Sequence, residues 1–188
     1  MDLDNKEILI PLLEQCRSGN QTALKRLHQI LYNYVFSICL RYSQSEEDAQ
    51  EIVNDGFMKI FSKLHLYNPE LSFKGWVRRI MINTAIDHYR KNQKHQHIDL
   101  EQIDPGTVQS EILEKISGEE IIRLVQLLPP AYRMVFNLYI IEGFNHQEIA
   151  NKLHISVGTS KSNLARAREK MKSLIRLYYQ EEFKEYEG

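Results

Sequence analysis

The sequence predicts an all-α protein: two small helical domains joined by a flexible linker, the second containing a helix-turn-helix. Three observations predict it. Apolar residues return at spacings of three and four along most of the 188-residue chain, no strand-like alternation of useful length interrupts them, and a polar stretch holding Pro105 and Gly106 divides the pattern in two. The domains are placed at residues 1–92 and 112–180, the linker at 93–111 and an acidic tail at 181–188. A linker of that length leaves two modules free to occupy separate sites. Hydrophobic residues at 43% and charged residues at 26% are ordinary for a chain able to bury real cores.

In the first domain a short amphipathic helix carries Ile8, Leu9, Leu12 and Leu13, with Pro11 early enough to be tolerated, and Ser18, Gly19 and Asn20 end it. A second helix, from about Gln21 to Tyr42, sets Leu24, Leu27, Ile30, Leu31, Tyr34, Val35 and Ile38 on one side as core. Ser45 caps a third, whose apolar face holds Ala49, Ile52, Val53, Phe57, Ile60, Phe61 and Leu64. Gly56 inside it costs about 1 kcal/mol against alanine, which marks a close approach by a neighbouring helix. The opposite face presents Asp48, Glu51 and Asp55, spaced three and four apart. They are either solubilising acids that also favour the helix N-terminus or a docking strip for a basic partner.

Asn68 and Pro69 break the chain, and Ser72 caps a helix from about Phe73 to Asn92. Trp76, Val77, Ile80, Met81, Ile82, Ala85 and Ile86 make it apolar around much of its circumference, as the centre of the first domain should be. Trp76 is read as core in preference to a base-stacking platform. Asn83, Asp87 and Arg90 form a polar stripe, beside Arg78, Arg79, Tyr89 and Lys91. Such a stripe is either an internal polar network or a nucleic-acid surface, and the surplus of cations favours the second.

In the second domain a helix spans about Ile112 to Leu128. Pro129 and Pro130 open the next, which uses Val135, Phe136, Leu138, Tyr139 and Ile141 before Gly143 closes it. Asn145, with Glu148 three residues on, begins a short helix carrying Ile149, Ala150 and Leu153. Ile155 and Ser156 interrupt the pattern, and Leu164, Ala167, Met171 and Leu174 resume it in a longer helix, which makes a helix-turn-helix. Thr159, Ser162, Asn163, Arg166 and Lys170 point away from that apolar stripe, with Lys161 and Arg168 on its shoulders. Arginine and lysine suit phosphates and guanine edges, and asparagine suits adenine, so the face fits a DNA major groove. The alternative is a solvated face on an ordinary helical hairpin.

The net charge of −1 hides an uneven distribution. Lys74, Arg78, Arg79, Arg90, Lys91 and Lys94 stand against Asp87 alone, and the stretch from Val157 to Arg176 is likewise basic, whereas Glu46, Glu47, Asp48, Glu51 and Asp55 are an acidic run. A DNA binder that also docks onto a protein needs such alternation. Other classes are disfavoured. No apolar run approaches a membrane span, and the start MDLDNKE lacks the features of a secretion signal, so the chain is expected in the cytoplasm. Cys16 and Cys39 are too few for a disulfide scaffold and are expected reduced and packed. His95 and His97 without a Cys or carboxylate cluster make a poor zinc site, and neither a phosphate loop nor a nucleophile elbow occurs. No metal, cofactor, catalytic residue or small-molecule substrate is expected.

The order of these motifs resembles the small bacterial RNA polymerase sigma factors of the extracytoplasmic-function type, over nearly the whole chain. DAQEIVNDGFMKIF (48–61) is similar to the family's polymerase-binding helix, and SFKGWVRRIMINTAIDHYRK (72–91) to its minus-ten recognition helix. LPPAYRMVF (128–136) and EIANKLHISVGTSKSNLARAR (148–168) are similar to its minus-thirty-five module. The resemblance implies that Asp48, Glu51 and Asp55 dock on the clamp helices of the polymerase largest subunit. It implies that Asn83, Asp87 and Arg90, with Arg78, Arg79 and Lys91, engage the non-template strand. The loop from about Leu66 to Leu71 would capture an extruded minus-ten base, and Thr159, Lys161, Ser162, Asn163, Arg166 and Lys170 would meet the upstream duplex. The implied partners are core RNA polymerase and promoter DNA, as an upstream duplex and a single-stranded minus-ten element; such factors are also commonly held by an anti-sigma protein. His154 departs from the pattern by standing where the turn usually has glycine. Ser160 replaces an apolar residue, which should weaken the core side of the recognition helix, and Asn163 and Ala165 replace larger side chains. A stand-alone helix-turn-helix regulator that never joins polymerase is the rival reading.

Overall fold

In the computed structural model, which describes residues 5–93 and 118–186, every regular element among the described residues is helical. They are α1 (Lys6–Arg17), α2 (Gln21–Leu40), α3 (Glu46–Lys63) running into a 3-10 turn (Leu64–Leu66), α4 (Phe73–Gln93), α5 (Gly118–Gln126), α6 (Pro130–Phe136) continued by a π-helical turn (Asn137–Ile141), α7 (His146–Leu153) and α8 (Val157–Tyr186). The chain divides into two compact units, Met1–His88 and Tyr89–Gly188, the division falling inside α4. No described helix is long and apolar enough to cross a membrane. The expected linker lies almost wholly outside the described residues, as do His95, His97 and the start of the helix expected from Ile112.

Local signals set the helix starts of the first unit. Asn20 accepts from the Ala23 amide at 3.1 Å, Ser45 from Asp48 at 3.2 Å and Ser72 from Gly75 at 3.2 Å, each satisfying an amide that the first turn leaves unpaired. Gly19 reverses the chain between α1 and α2 with φ +82°. Pro11 sits inside α1 without ending it. It is exposed, so water can reach the acceptor it leaves unpaired.

The first core joins Leu9, Leu12 and Leu13 of α1, Leu27, Leu31, Val35 and Ile38 of α2, Ile52, Val53, Phe57 and Ile60 of α3, and Phe73, Val77, Met81 and Ala85 of α4, all buried. Leu24, Ile30, Tyr34, Trp76 and Ile80, expected as core, are only half-buried, because they lie at the edges of the buried arcs. Gly56 is where two helices meet: a Cβ there would overlap the Sδ and Cε of Met81. Cys16 and Cys39 are buried free thiols, and burial pushes Cys39 up to about 12 against an opposing effect of Arg41.

The second core gathers Leu124, Val125 and Leu128 with Ala167, Met171 and Ile175, flanked by Tyr132, Phe136, Leu174 and Tyr178. Helix α8 extends well past Leu174, where periodicity alone ends it. Its extension is held by Ile175 and by Tyr178, whose hydroxyl donates to Glu120 at 2.5 Å. The expected acidic tail therefore begins within a helix that continues to Tyr186. The buried Arg133 donates from Nη2 to the carbonyls of Gln126 (2.9 Å) and Leu128 (2.7 Å), joining α6 to the end of α5.

Candidate nucleic-acid and polymerase interfaces

The helix-turn-helix is built as its sequence directs. Asn145 accepts from the Glu148 amide at 2.9 Å and Glu148 accepts from the Asn145 amide at 2.8 Å, a complete capping box that fixes where α7 begins. His154 ends α7 in the left-handed region, φ 55° and ψ 45°. Ser156 starts α8, its hydroxyl accepting from the Thr159 amide at 2.9 Å and lying 2.8 Å from the Thr159 Oγ1.

Along α8, Thr159, Lys161, Ser162 and Arg166 are exposed. Two predicted members of that face are less open than the rest. Asn163 and Lys170 are half-buried, because at 100° per residue they fall beside the buried arc of Ser160, Leu164 and Ala167 and not opposite it. Thr159 and Ser162 are already engaged locally, Ser162 donating to the Thr159 carbonyl at 3.0 Å. The Arg166 Nη1 lies 3.4 Å from the Tyr132 hydroxyl, and the Arg168 guanidinium 5.9 Å from the Tyr139 ring centroid.

Ser160 is fully buried, and the weakening expected of it does not take the form of an unpaired hydroxyl. His146 Nδ1 lies 3.0 Å from its Oγ, joining the start of α7 to α8. The His146 ring stacks on Tyr139 at 4.6 Å. Burial first, then the charges of Lys161 and Arg168, hold His146 below its ordinary value of 6.5. Sequence reasoning missed this cluster, since an isolated histidine gives no sign of its partner.

On α4, Asn83, Asp87, Arg79 and Lys91 are exposed, while Arg78 and Arg90 are half-buried. The structure adds Lys59 of α3, whose Nζ lies 3.0 Å from the Asp87 carboxylate. A lone acid on a surface for phosphates would repel them, and Lys59 offsets that charge.

The acidic strip on α3 is divided. Glu51 and Asp55 are exposed, but Asp48, expected beside them, is tied back into its own unit. Its Oδ1 lies 2.6 Å from His88 Nε2 of α4, and its Oδ2 accepts from the Gln44 amide at 2.8 Å. The spacing puts the three acids on one face, but only packing shows that this face curves into α4 at its first turn. One turn beyond Asp55, the side chain of Met58 stands 72% exposed, an apolar neighbour that the charge pattern did not suggest.

The loop between α3 and α4 is well built. Asn68 accepts from the Glu70 amide at 3.0 Å, Tyr67 donates its hydroxyl to the Leu71 carbonyl at 2.7 Å, and the Tyr67 ring packs 5.0 Å from Phe73 and 5.5 Å from Trp76. Trp76 thus belongs to an aromatic cluster beside the loop.

Comparison with known proteins agrees with both units. The family model described as sigma-70 region 2 matches residues 27–95, and that described as sigma-70 region 4 matches residues 118–171. The chain is 25% identical over 177 residues to the ECF RNA polymerase sigma factor SigW of Bacillus subtilis (strain 168), covering 87% of this chain and 95% of the relative. It is 29% identical over 182 residues to the ECF RNA polymerase sigma-E factor of Escherichia coli (strain K12), covering 88% and 95%. Among solved structures, CnrH in complex with the cytosolic domain of CnrY is 25% identical, with TM-score 0.45 over 88% of this chain and 96% of that one. The sigma factor RpoE in complex with the anti-sigma factor NepR from Bartonella quintana is 20% identical, with TM-score 0.47 over 81% and 96%. A stand-alone regulator has no use for the region 2 match. This chain belongs to the extracytoplasmic-function family of RNA polymerase sigma factors, and it binds core polymerase and directs it to promoters.

Proposed function

We propose a division of labour between the two units in initiation. The first, taken as residues 1–92, docks on core polymerase through Glu51 and Asp55, with Asp48 bracing the docking helix from behind. It holds the non-template strand with Asn83, Asp87, Arg90, Lys91, Arg78 and Arg79, while the loop 66–71 receives an extruded minus-ten base. Flipping a base costs a few kcal/mol, which a pocket and backbone cations can offset, so strand capture opens the duplex without hydrolysis by this chain. The second unit, residues 112–180, sets α8 in the major groove of the upstream element, with Arg166, Lys161, Thr159 and Ser162 foremost and Asn163 and Lys170 at the margin. Residues 93–111 tether the two. The chain itself performs no chemistry and acts in the cytoplasm, where core polymerase and promoter DNA meet; an anti-sigma protein is a further proposed partner.

The observation that carries this reading is the capped helix-turn-helix with Arg166 and Lys161 exposed on α8, in a chain that also holds a region 2 unit. Transcription reconstituted with and without core polymerase tests it. Promoter-specific transcripts should require both proteins, Arg166→Ala should weaken closed-complex binding, and Asn83→Ala should slow opening more than binding. Tight duplex binding by the chain alone, with no co-elution with core enzyme, would favour the regulator instead.

A further inference from the structure

Arg17 lies in the last turn of α1, outside every surface assigned above, yet it reaches the loop between α3 and α4. Its Nε donates to the Leu64 carbonyl at 3.2 Å and its Nη2 to the Tyr67 carbonyl at 3.1 Å. These two acceptors lie where α3 ends and the loop begins. A guanidinium reaches the two carbonyls from two separate nitrogens held in one plane, a fixed geometry that lysine's single ammonium nitrogen does not reproduce. From the second acceptor the order passes through Tyr67. Its hydroxyl donates to the Leu71 carbonyl at 2.7 Å, and its ring is wedged against Phe73 and Trp76. The Leu71 amide closes a turn on the Asn68 carbonyl at 3.1 Å. Leu66 and Leu71 are thereby held outward at the two ends of the loop, 66% and 61% exposed.

We infer that Arg17 is a positioning residue for base selection: by gripping Leu64 and Tyr67 it fixes the loop 66–71 in the shape that receives an extruded base, without touching DNA itself. The inference rests on the proposal that this loop receives the base. The physical reason is one of tolerance. A site that reads the edge of a base must be held to a fraction of an ångström, and this guanidinium ties the start of the loop to α1 by two hydrogen bonds.

The test uses holoenzyme reconstituted from core polymerase and the full chain, bound to a library of single-stranded DNA randomised across the minus-ten positions. The retained strands are sequenced and core affinity is measured in parallel. With Arg17→Ala, preference at the extruded position should fall about tenfold, while the other positions and core affinity change less than about twofold. Arg17→Lys should recover only part of it. Tyr67→Phe, which keeps the ring packing and removes the bond to Leu71, should lower the same position, and it keeps the idea testable if Arg17→Ala folds poorly. A wild-type preference unchanged in Arg17→Ala and Tyr67→Phe, or an even decline at every position together with core affinity, would overturn the inference alone. A wild-type holoenzyme with no preference at any position would remove the loop reading and the inference with it.

Discussion

His154 shows how one side chain can be placed by a rule and still carry a cost. The turn of the helix-turn-helix needs a left-handed residue, and a histidine adopts φ 55° there where glycine would be unstrained. His154→Gly should therefore stabilise the second unit by about 1 kcal/mol, read from chemical denaturation of the full chain; no gain would mean that the histidine side chain compensates. His146 gives a pH dependence with a definite sign. Because its folded pKa lies below the ordinary 6.5, the unfolded chain takes up the proton first as the pH falls. Its contribution is whole above 6.5 and is lost as the pH drops below that value. Melting of the wild type should decline between about pH 7 and about pH 5.5 more steeply than that of His146→Gln. Parallel curves would show that the ring is not held neutral. Neither histidine's environment was fully legible: the αL position of His154 was, from its place in the turn, whereas the Ser160 partner of His146 depends on how α7 crosses α8.

Helix boundaries were legible where a short polar side chain can bond to the next turn, as at Ser45, Ser72 and Asn145; Asn20, read only as ending α1, proved also to cap α2. Gly56 was legible too, since a costly residue inside a helix signals a neighbour, here Met81. What periodicity could not reveal is which end of an exposed face turns toward another element. Three acids with one spacing therefore separate into one structural residue and two free ones. Asp48→Ala, which loses the bonds to His88 and Gln44, should destabilise the chain by about 1–2 kcal/mol. Glu51→Ala and Asp55→Ala should leave stability within about 0.5 kcal/mol. In a core-polymerase binding assay the order should invert per unit of folded protein, with the Glu51 and Asp55 changes weakening association most. Equal losses of stability across the three would contradict the division.

For the molecule as a whole, the alternation of basic and acidic surfaces matters more than a net charge near zero. If α8 meets phosphates, Lys161→Ala and Arg166→Ala should each lower the slope of log affinity against log salt for holoenzyme on its promoter by about one. Glu51→Ala should leave that slope alone; a matching change there would mean that the salt dependence reflects polymerase docking. The sequence by itself determined the helical class, the capped starts, the helix-turn-helix and the two-module order, because each depends on residues within a few positions of one another. Only the tertiary structure decided that Asp48 faces His88, that Lys59 neutralises Asp87, that Ser160 meets His146, and that Arg17 grips a loop some fifty residues away. Those contacts depend on how helices cross, and crossing geometry is set by the sum of core packing, which no local pattern encodes.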